Sequence, residues 1–322
     1  MKSFPRPQIV VSRCIEFEPV RFDGSMMKSE LVATLKSFAN FIPICPEVAI
    51  GLPIPRDSLR IIYSKNKYRL IQSATGLDLT DKMNNWADDF LISLPPVDGF
   101  IMKAKSPSSS LFDAKVYPSI EKVASIAKGA GIFGAKVLTR FSNLAVEDEM
   151  RLLNTRIRDH FLKKLFTLAS FRELKESNST ESLVKFQADN KLLLTAYSQK
   201  ELGILGRLVA NRKNIPQDKL FNDYSEHLLA AFKQPPRPSS NINIALKSFG
   251  YFSDKLEKAE KKFFIEQLEN YHTGKTPFSV PMGILKSWFV RFNEEYLLNQ
   301  TFYSPYPEKL VNLETTSAKI NG

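Results

Sequence analysis

"QIVVSRCI", residues 8–15, sets three β-branched apolar side chains in a row, Ile9, Val10 and Val11, between polar Gln8 and Ser12. A short unbroken apolar run reads as a strand buried on both faces, as in a parallel sheet covered by helices. Downstream, "MMKSELVATLKSFANFI" (26–42) repeats apolar residues at helical spacing, and "EVAIGL" (47–52) returns to strand. "RIIYSKNKYRLIQ" (60–72) predicts a hairpin turning at Lys65–Asn66. "LTDKMNNWADDFLISL" (79–94) predicts a helix capped by Thr80, and "DGFIMKA" (98–104) another buried strand. "YPSIEKVASIAKGAG" (117–131) predicts a helix with Pro118 in its first turn and Gly129 or Gly131 at its end. Strand and helix in alternation predict an α/β N-terminal domain with a mainly parallel sheet.

From Arg151 the pattern turns helical. "EMRLLNTRIRDHFLKKLFTLASFRELK" (149–175) is long and amphipathic, and the polar break "KESNSTES" follows it. Helical segments are expected over 181–212, 217–233, 241–250, 253–272 and 281–302, punctuated by proline-rich stretches such as "KQPPRPSSN". The expectation is two domains, 1–168 and 169–322, the second an all-α helical-bundle domain.

The formal charge of +11 is spread along the chain: 24 basic against 17 acidic residues up to position 168, and 21 against 17 after it. That balance permits contact with nucleic-acid phosphates without demanding it. Pro5 and Pro7 interrupt the start, and no apolar run reaches the roughly 18 residues of a membrane span. With only two cysteines, the chain reads as cytoplasmic with no membrane partner.

"GAGIFG" (Gly129, Gly131, Gly134) has dinucleotide-binding spacing, but that chemistry needs a strand before the glycines and a helix after them. Here a helix is expected before them, so they read as helix-end and turn glycines. Cys14 ends one predicted strand and Cys45 begins the next, so two thiols can meet at one sheet edge as metal ligands or lie in the core. Arg13, Arg21 and Arg56 fall in loops beside that edge. They suit an anionic or carbonyl-rich ligand through forked hydrogen bonds, or ion pairing with Glu16, Glu18, Asp23 and Asp57. Phe17, Phe22, Phe100, Phe112 and Tyr117 serve either to stack on a base or as core.

The stretches "SRCIEFEPVRFDG" (12–24), "CPEVAIGLPIPR" (45–56), "GFIMKAKSPSSS" (99–110) with "KVY" (115–117), and "GIFG" (131–134) resemble the 2-thiouracil desulfurase family, in that family's order. "NKLLLTAY", "ELGILGRLVA", "NINIALKSFGYF", "GKTPFSVPMGILKSWF" and "YLLNQTFYSPYPEKL" resemble the YbgA-type helical domain often fused behind it. The first resemblance implies an iron–sulfur cluster held by three cysteines, its fourth iron open to the sulfur of a thiocarbonyl substrate. On that scheme Cys14 and Cys45 are ligands, Glu47 moves protons, and Ser106 assists at the substrate. The family's third cysteine falls at Ser109 and the glycine after it at Ser110, and a hydroxyl is a poor substitute for a thiolate. In the helical half, Lys247, Ser287, Gln187 and Asp189 stand where the family pattern carries histidine-bearing motifs, leaving His160, His227 and His272. The expectation is a desulfurase-like protein whose iron–sulfur cluster is absent or unstable, left with a binding or regulatory role toward a small thiocarbonyl or pyrimidine-like ligand. Two alternatives stay open: an active enzyme converting C=S to C=O, and a basic nucleic-acid-associated module.

Overall fold

Ile9, Val10 and Val11 form a strand with no exposed surface, and the rest of the first domain is built around it. The computed structural model describes residues 3–121 and 123–311. In chain order the elements are β1 (Gln8–Ser12), α1 (Glu30–Leu35), β2 (Asn40–Ile44), α2 (Pro46–Ala49), β3 (Leu59–Ser64), β4 (Lys67–Gln72), α3 (Thr80–Ser93), β5 (Gly99–Met102), β6 (Ala114–Tyr117), β7 (Ala127–Gly129), α4 (Ile132–Phe141), β8 (Ala145–Asp148) and α5 (Thr155–Ser177). One sheet has the order β2-β1-β5-β8, and every pair in it is parallel. A second sheet, β4-β3-β6-β7, is mixed. The fold class is therefore α/β with a mainly parallel central sheet.

Both faces of β1 are covered. Ile9 and Val11 join one cluster with Leu31, Val32, Leu35, Phe161, Leu162 and Leu165 from α1 and α5. Val10 joins the other with Met83, Ala87, Leu91, Phe133 and Val137 from α3 and α4. Burying such a side chain contributes roughly 1.5–3 kcal/mol, so the run specifies the centre of the sheet. The Lys65–Asn66 turn has both φ angles positive, 51° and 59°, as a two-residue hairpin turn of matching twist requires.

Several local expectations are corrected. The helix expected over 26–42 stops at Leu35, and Asn40–Ile44 is a strand paired in register with β1. "EVAIGL" is no strand: Pro46 opens a short helix with Cys45 as its N-cap residue, so Cys45 follows a strand rather than starting one. Thr80 does not cap α3. Its hydroxyl accepts the Leu70 N–H at 2.8 Å, while Asp78 accepts the Thr80 N–H at 2.9 Å. The helix expected over 117–131 is absent among the described residues: Ala127–Gly129 is a strand, and Ile120, Val123 and Ile126 stay exposed, so no buried face supports a helix there.

Contacts divide the chain into one unit running to Ser170 plus the segment from Tyr306 on, and another over Phe171–Pro305. In the first, Tyr306 and Leu310 join the α1–α5 cluster, and the Tyr306 hydroxyl donates to Asp159 Oδ1 at 2.8 Å. The second is helical: α6 (Thr180–Asp189), α7 (Lys191–Tyr197), α8 (Gln199–Ala210), α9 (Gln217–Ala231), α10 (Pro238–Gly250), α11 (Lys258–His272), α12 (Ser279–Arg291) and α13 (Glu295–Asn299). The single helix expected over 181–212 breaks at Asn190 and Ser198, the latter capping α8 by accepting the Glu201 N–H. Ring contacts among Phe171, Phe186, Phe221 and Tyr224, and among Phe252, Phe289 and Tyr303, fill this unit's interior.

Candidate functional site

Three parallel strands end side by side, and the residues that follow them build one cavity of about 350 Å³. β1 ends in Ser12 and continues into Arg13 and Cys14, β2 continues into Cys45, Pro46 and Glu47, and β5 into Lys103–Pro107 and Ser109. With β1 central, the chain passes to one side for β2 and to the other for β5, and the crevice at such a reversal is where open parallel sheets hold ligands. Every site residue singled out in the sequence lines this cavity: Arg13, Cys14, Arg21, Cys45, Glu47, Arg56, Ser106 and Ser109. Of the five candidate aromatics only Phe22 does so. Phe100 is fully buried core, Phe17 packs on Phe41, and Phe112 and Tyr117 lie under Arg151 and Arg60.

Glu47 is the centre of the polar network. Pro46 sets the first helical turn after the extended Cys45 and brings Glu47 back toward the Cys45 sulfur, two residues earlier. The Cys45 thiol donates to Glu47 Oε2 at 3.2 Å, and Glu47 Oε1 accepts the Ser106 hydroxyl at 3.4 Å and that of Ser108. The buried Arg56 guanidinium donates through Nη1 to Val20 O at 3.1 Å, and its Nη2 lies 3.7 Å from Cys45 Sγ and 3.8 Å from Glu47 Oε2. Burial, reinforced by the negative charge of Glu47, pushes the Cys14 thiol up to about 11 and that of Cys45 to about 12. Both are therefore neutral at physiological pH in the metal-free protein.

The serine run is held on two sides. Ser106 Oγ accepts the N–H groups of Ser108 and Ser109 at 3.2 and 3.0 Å. From behind, the N–H groups of Gly131, Ile132 and Gly134 donate to the carbonyls of Ser110, Pro107 and Ser108. A Cβ at Gly131 would come within 2.5 Å of Ser108, and one at Gly134 within 2.0 Å of the Ser110 carbonyl oxygen. "GAGIFG" is thus the seat of the serine loop. Its glycines do follow a strand and open a helix, which corrects the helix-end reading, but these N–H groups at the start of α4 are already taken by protein carbonyls.

Ser108 was not legible as a site residue, nor was Lys103. Lys103 Nζ donates to buried Glu149 Oε1 at 2.6 Å, and its backbone N–H donates to Ser12 Oγ at 2.9 Å, which joins the ends of β5 and β1. The only sequence signals were the density of serines and a lysine directly after a buried strand. In the helical unit three of the four positions expected to have lost histidine make local contacts. Gln187 accepts the Tyr224 hydroxyl at 2.5 Å, Asp189 pairs with Lys185 at 2.6 Å, and Ser287 donates to Ile284 O. His227 Nδ1 lies 2.7 Å from Glu201 Oε2.

An iron–sulfur cluster needs soft thiolates, and the whole sequence contains only Cys14 and Cys45. Ser109, where the resemblance implies a third ligand, lines the same cavity, and its hydroxyl makes no hydrogen bond among the described residues. Among those residues, no group of three or more His, Cys, Asp or Glu is placed to hold a metal ion. The donor set does not fit a cluster carried on three cysteines.

Fold and crevice define an α/β region with a cavity at its strand ends, followed by a helical region. Residues 9–149 match the family model described as "2-thiouracil desulfurase", and residues 191–307 the one described as "Protein of unknown function (DUF1722)". The chain is similar to YbgA of Escherichia coli (strain K12), 25% identical over 160 residues that cover 49% of this chain and 94% of the relative. A solved structure titled as the 4Fe-4S-dependent thiouracil desulfidase TudS is 26% identical and covers 46% of this chain and 94% of its own, with a TM-score of 0.36. At that score the superposition carries no weight, and the likeness rests on the two family models. No helix among the described residues is long and apolar enough to cross a membrane.

Proposed function

We propose that this chain is a desulfurase-family protein that has lost its iron–sulfur chemistry and keeps the cavity as a binding site for a small pyrimidine-like or thiocarbonyl molecule. The observation that carries this reading is Ser109. It lines the same cavity as both cysteines but offers a hydroxyl where cluster chemistry needs a thiolate. Retention of Glu47, Ser106 and the cationic lining supports continued ligand binding. In this reading Glu47 organises the cavity wall, and Ser106 presents its loop.

A second reading, an active desulfurase, is supported by the survival of Cys14, Cys45, Glu47 and Ser106 around one cavity. The two separate in a single assay. Oxygen-protected protein, supplied with iron and sulfide and then with 2-thiouracil, is expected to release no hydrogen sulfide above a protein-free control. Repeated turnover, abolished by Cys45→Ala, overturns the leading reading.

A further inference from the structure

The arginines of the cavity stand farther from their carboxylates than most others with a carboxylate partner among the described residues. Outside it, Arg69–Asp78 closes to 2.5 Å, Arg151–Glu147 to 2.7 Å, Arg291–Glu260 to 2.8 Å and Arg172–Glu176 to 3.0 Å. Arg140 stands 3.4 Å from Asp88, a carboxylate it shares with Lys136. In the cavity, Arg13–Glu18 and Arg21–Asp23 both stand at 3.6 Å and Arg56–Glu47 at 3.8 Å. Charge-assisted hydrogen bonds close to about 2.7–2.9 Å, so these three forks are not engaged by their acids; Arg21 Nη1 donates instead to the Ser25 hydroxyl at 2.8 Å and Arg56 Nη1 to Val20 O at 3.1 Å.

The acids beside Arg13 and Arg21 are themselves solvated, with 55% of the Glu18 side chain and 41% of that of Asp23 exposed. Pairs of that kind are weak and readily exchanged for a better acceptor. Lys105 adds an exposed ammonium to the lining, on a left-handed backbone (φ 62°), and its side chain makes no hydrogen bond among the described residues. Two acids face this set in the lining, Glu47 and Asp57. Glu47 is balanced by Arg56 and already accepts from Ser106, Ser108 and Cys45.

We propose that the cavity takes a small molecule bearing an oxyanion, a carboxylate or a phosphate, whose paired oxygens meet the forked N–H groups of Arg13 and Arg21 with Lys105 at the rim. The fork of a guanidinium matches two oxygens of either group, and the cavity is of the size that accepts one small ligand. The proposal rests on reading the cavity as a ligand site without a cluster, and it adds the charge of the ligand to that reading.

The test is calorimetric titration of the full chain with three probes: orotate, uracil (the same ring without the carboxylate) and inorganic phosphate. Orotate is expected to bind at least about ten-fold more tightly than uracil, the scale of a charge-assisted contact. That advantage should disappear in Arg21→Gln/Lys105→Gln, whose side chains are partly or largely exposed and whose melting temperature checks the fold. Phosphate binding of similar strength assigns the group to the phosphate class, and orotate binding without it assigns the carboxylate class. Uracil bound as tightly as orotate, an unchanged orotate affinity in the double variant, or no bound probe at all overturns the proposal. Iron content of the same sample tests the underlying reading separately: stoichiometric iron removes that reading, whereas iron-free protein indifferent to anions removes only this one.

Discussion

Ser108 donates its hydroxyl to Glu47 Oε1 across 61 positions of sequence, joining the loop after β5 to the short helix α2 that follows β2. Two walls of the cavity are thereby fastened by a carboxylate that also receives the Cys45 thiol and faces the Arg56 guanidinium. Removing the carboxylate leaves the buried Ser108 hydroxyl and Cys45 thiol without their acceptor and the Arg56 guanidinium without its nearby counter-charge. Glu47→Ala is therefore expected to lose about 2–4 kcal/mol of stability in urea denaturation. Glu47→Gln keeps an acceptor oxygen and should lose less. Equal stability of Glu47→Ala and the parent would show that the network holds nothing together.

The seat beneath the serine loop makes its own prediction. At Gly134 a methyl group would meet the Ser110 carbonyl oxygen at 2.0 Å, a clash with backbone that no side-chain rotation relieves. Gly134→Ala should cost roughly 1–3 kcal/mol as overpacking and displace the loop that carries Ser109. Thermal unfolding together with the affinity for the cavity's ligand reads both effects, and an unperturbed variant would contradict the close approach.

The thiols should be sluggish. Burial and Glu47 raise Cys14 to about 11 and Cys45 to about 12 from an ordinary 9. At pH 8 the thiolate fraction is then lower by about a hundred-fold or more, and alkylation by iodoacetamide should be slowed accordingly in the metal-free folded protein. The sign for stability follows. The folded state holds these protons more tightly than the unfolded state, so their contribution is complete below pH 9 and is lost as pH rises from 9 through 12. Rapid alkylation at neutral pH, or stability that climbs over that alkaline range, would run against this.

Supplying a third thiol at Ser109 is a gain-of-function trial with a structural qualification. Ser110 accepts the N–H groups of Phe112 and Asp113 at 3.3 and 3.0 Å and donates to Asp113 Oδ1 at 2.7 Å. Adding Ser110→Gly removes this turn and should cost about 1–2 kcal/mol. Ser109→Cys alone is therefore expected to take up iron and sulfide in anaerobic reconstitution, and the double variant to do so in a less stable fold. A single variant as empty as its parent would place the obstacle elsewhere in the cavity.

How far the sequence speaks depends on whether burial or local spacing decides each element. β1 was readable because three adjacent β-branched residues all lie in the core. β2 was not, because the apolar residues of "NFIPI" continue the helical spacing of "ELVATL" before it, and only pairing with β1 makes it a strand. Ile120, Val123 and Ile126 mimic a helical stripe yet remain exposed, so the pattern found no partner surface. Every site residue drawn from the motifs reached the cavity, since those motifs follow the ends of β1, β2 and β5. Ser108 and Lys103 escaped because their importance lies in contacts with Glu47 and Glu149, which are distant in sequence.

The central claim is that two thiols and a hydroxyl do not hold a cluster, and iron and acid-labile sulfide content of freshly made, oxygen-protected protein tests it most directly. The account predicts well under one iron per chain and no visible absorbance of a cluster. Four irons and four sulfides per chain, retained through gel filtration, would contradict it.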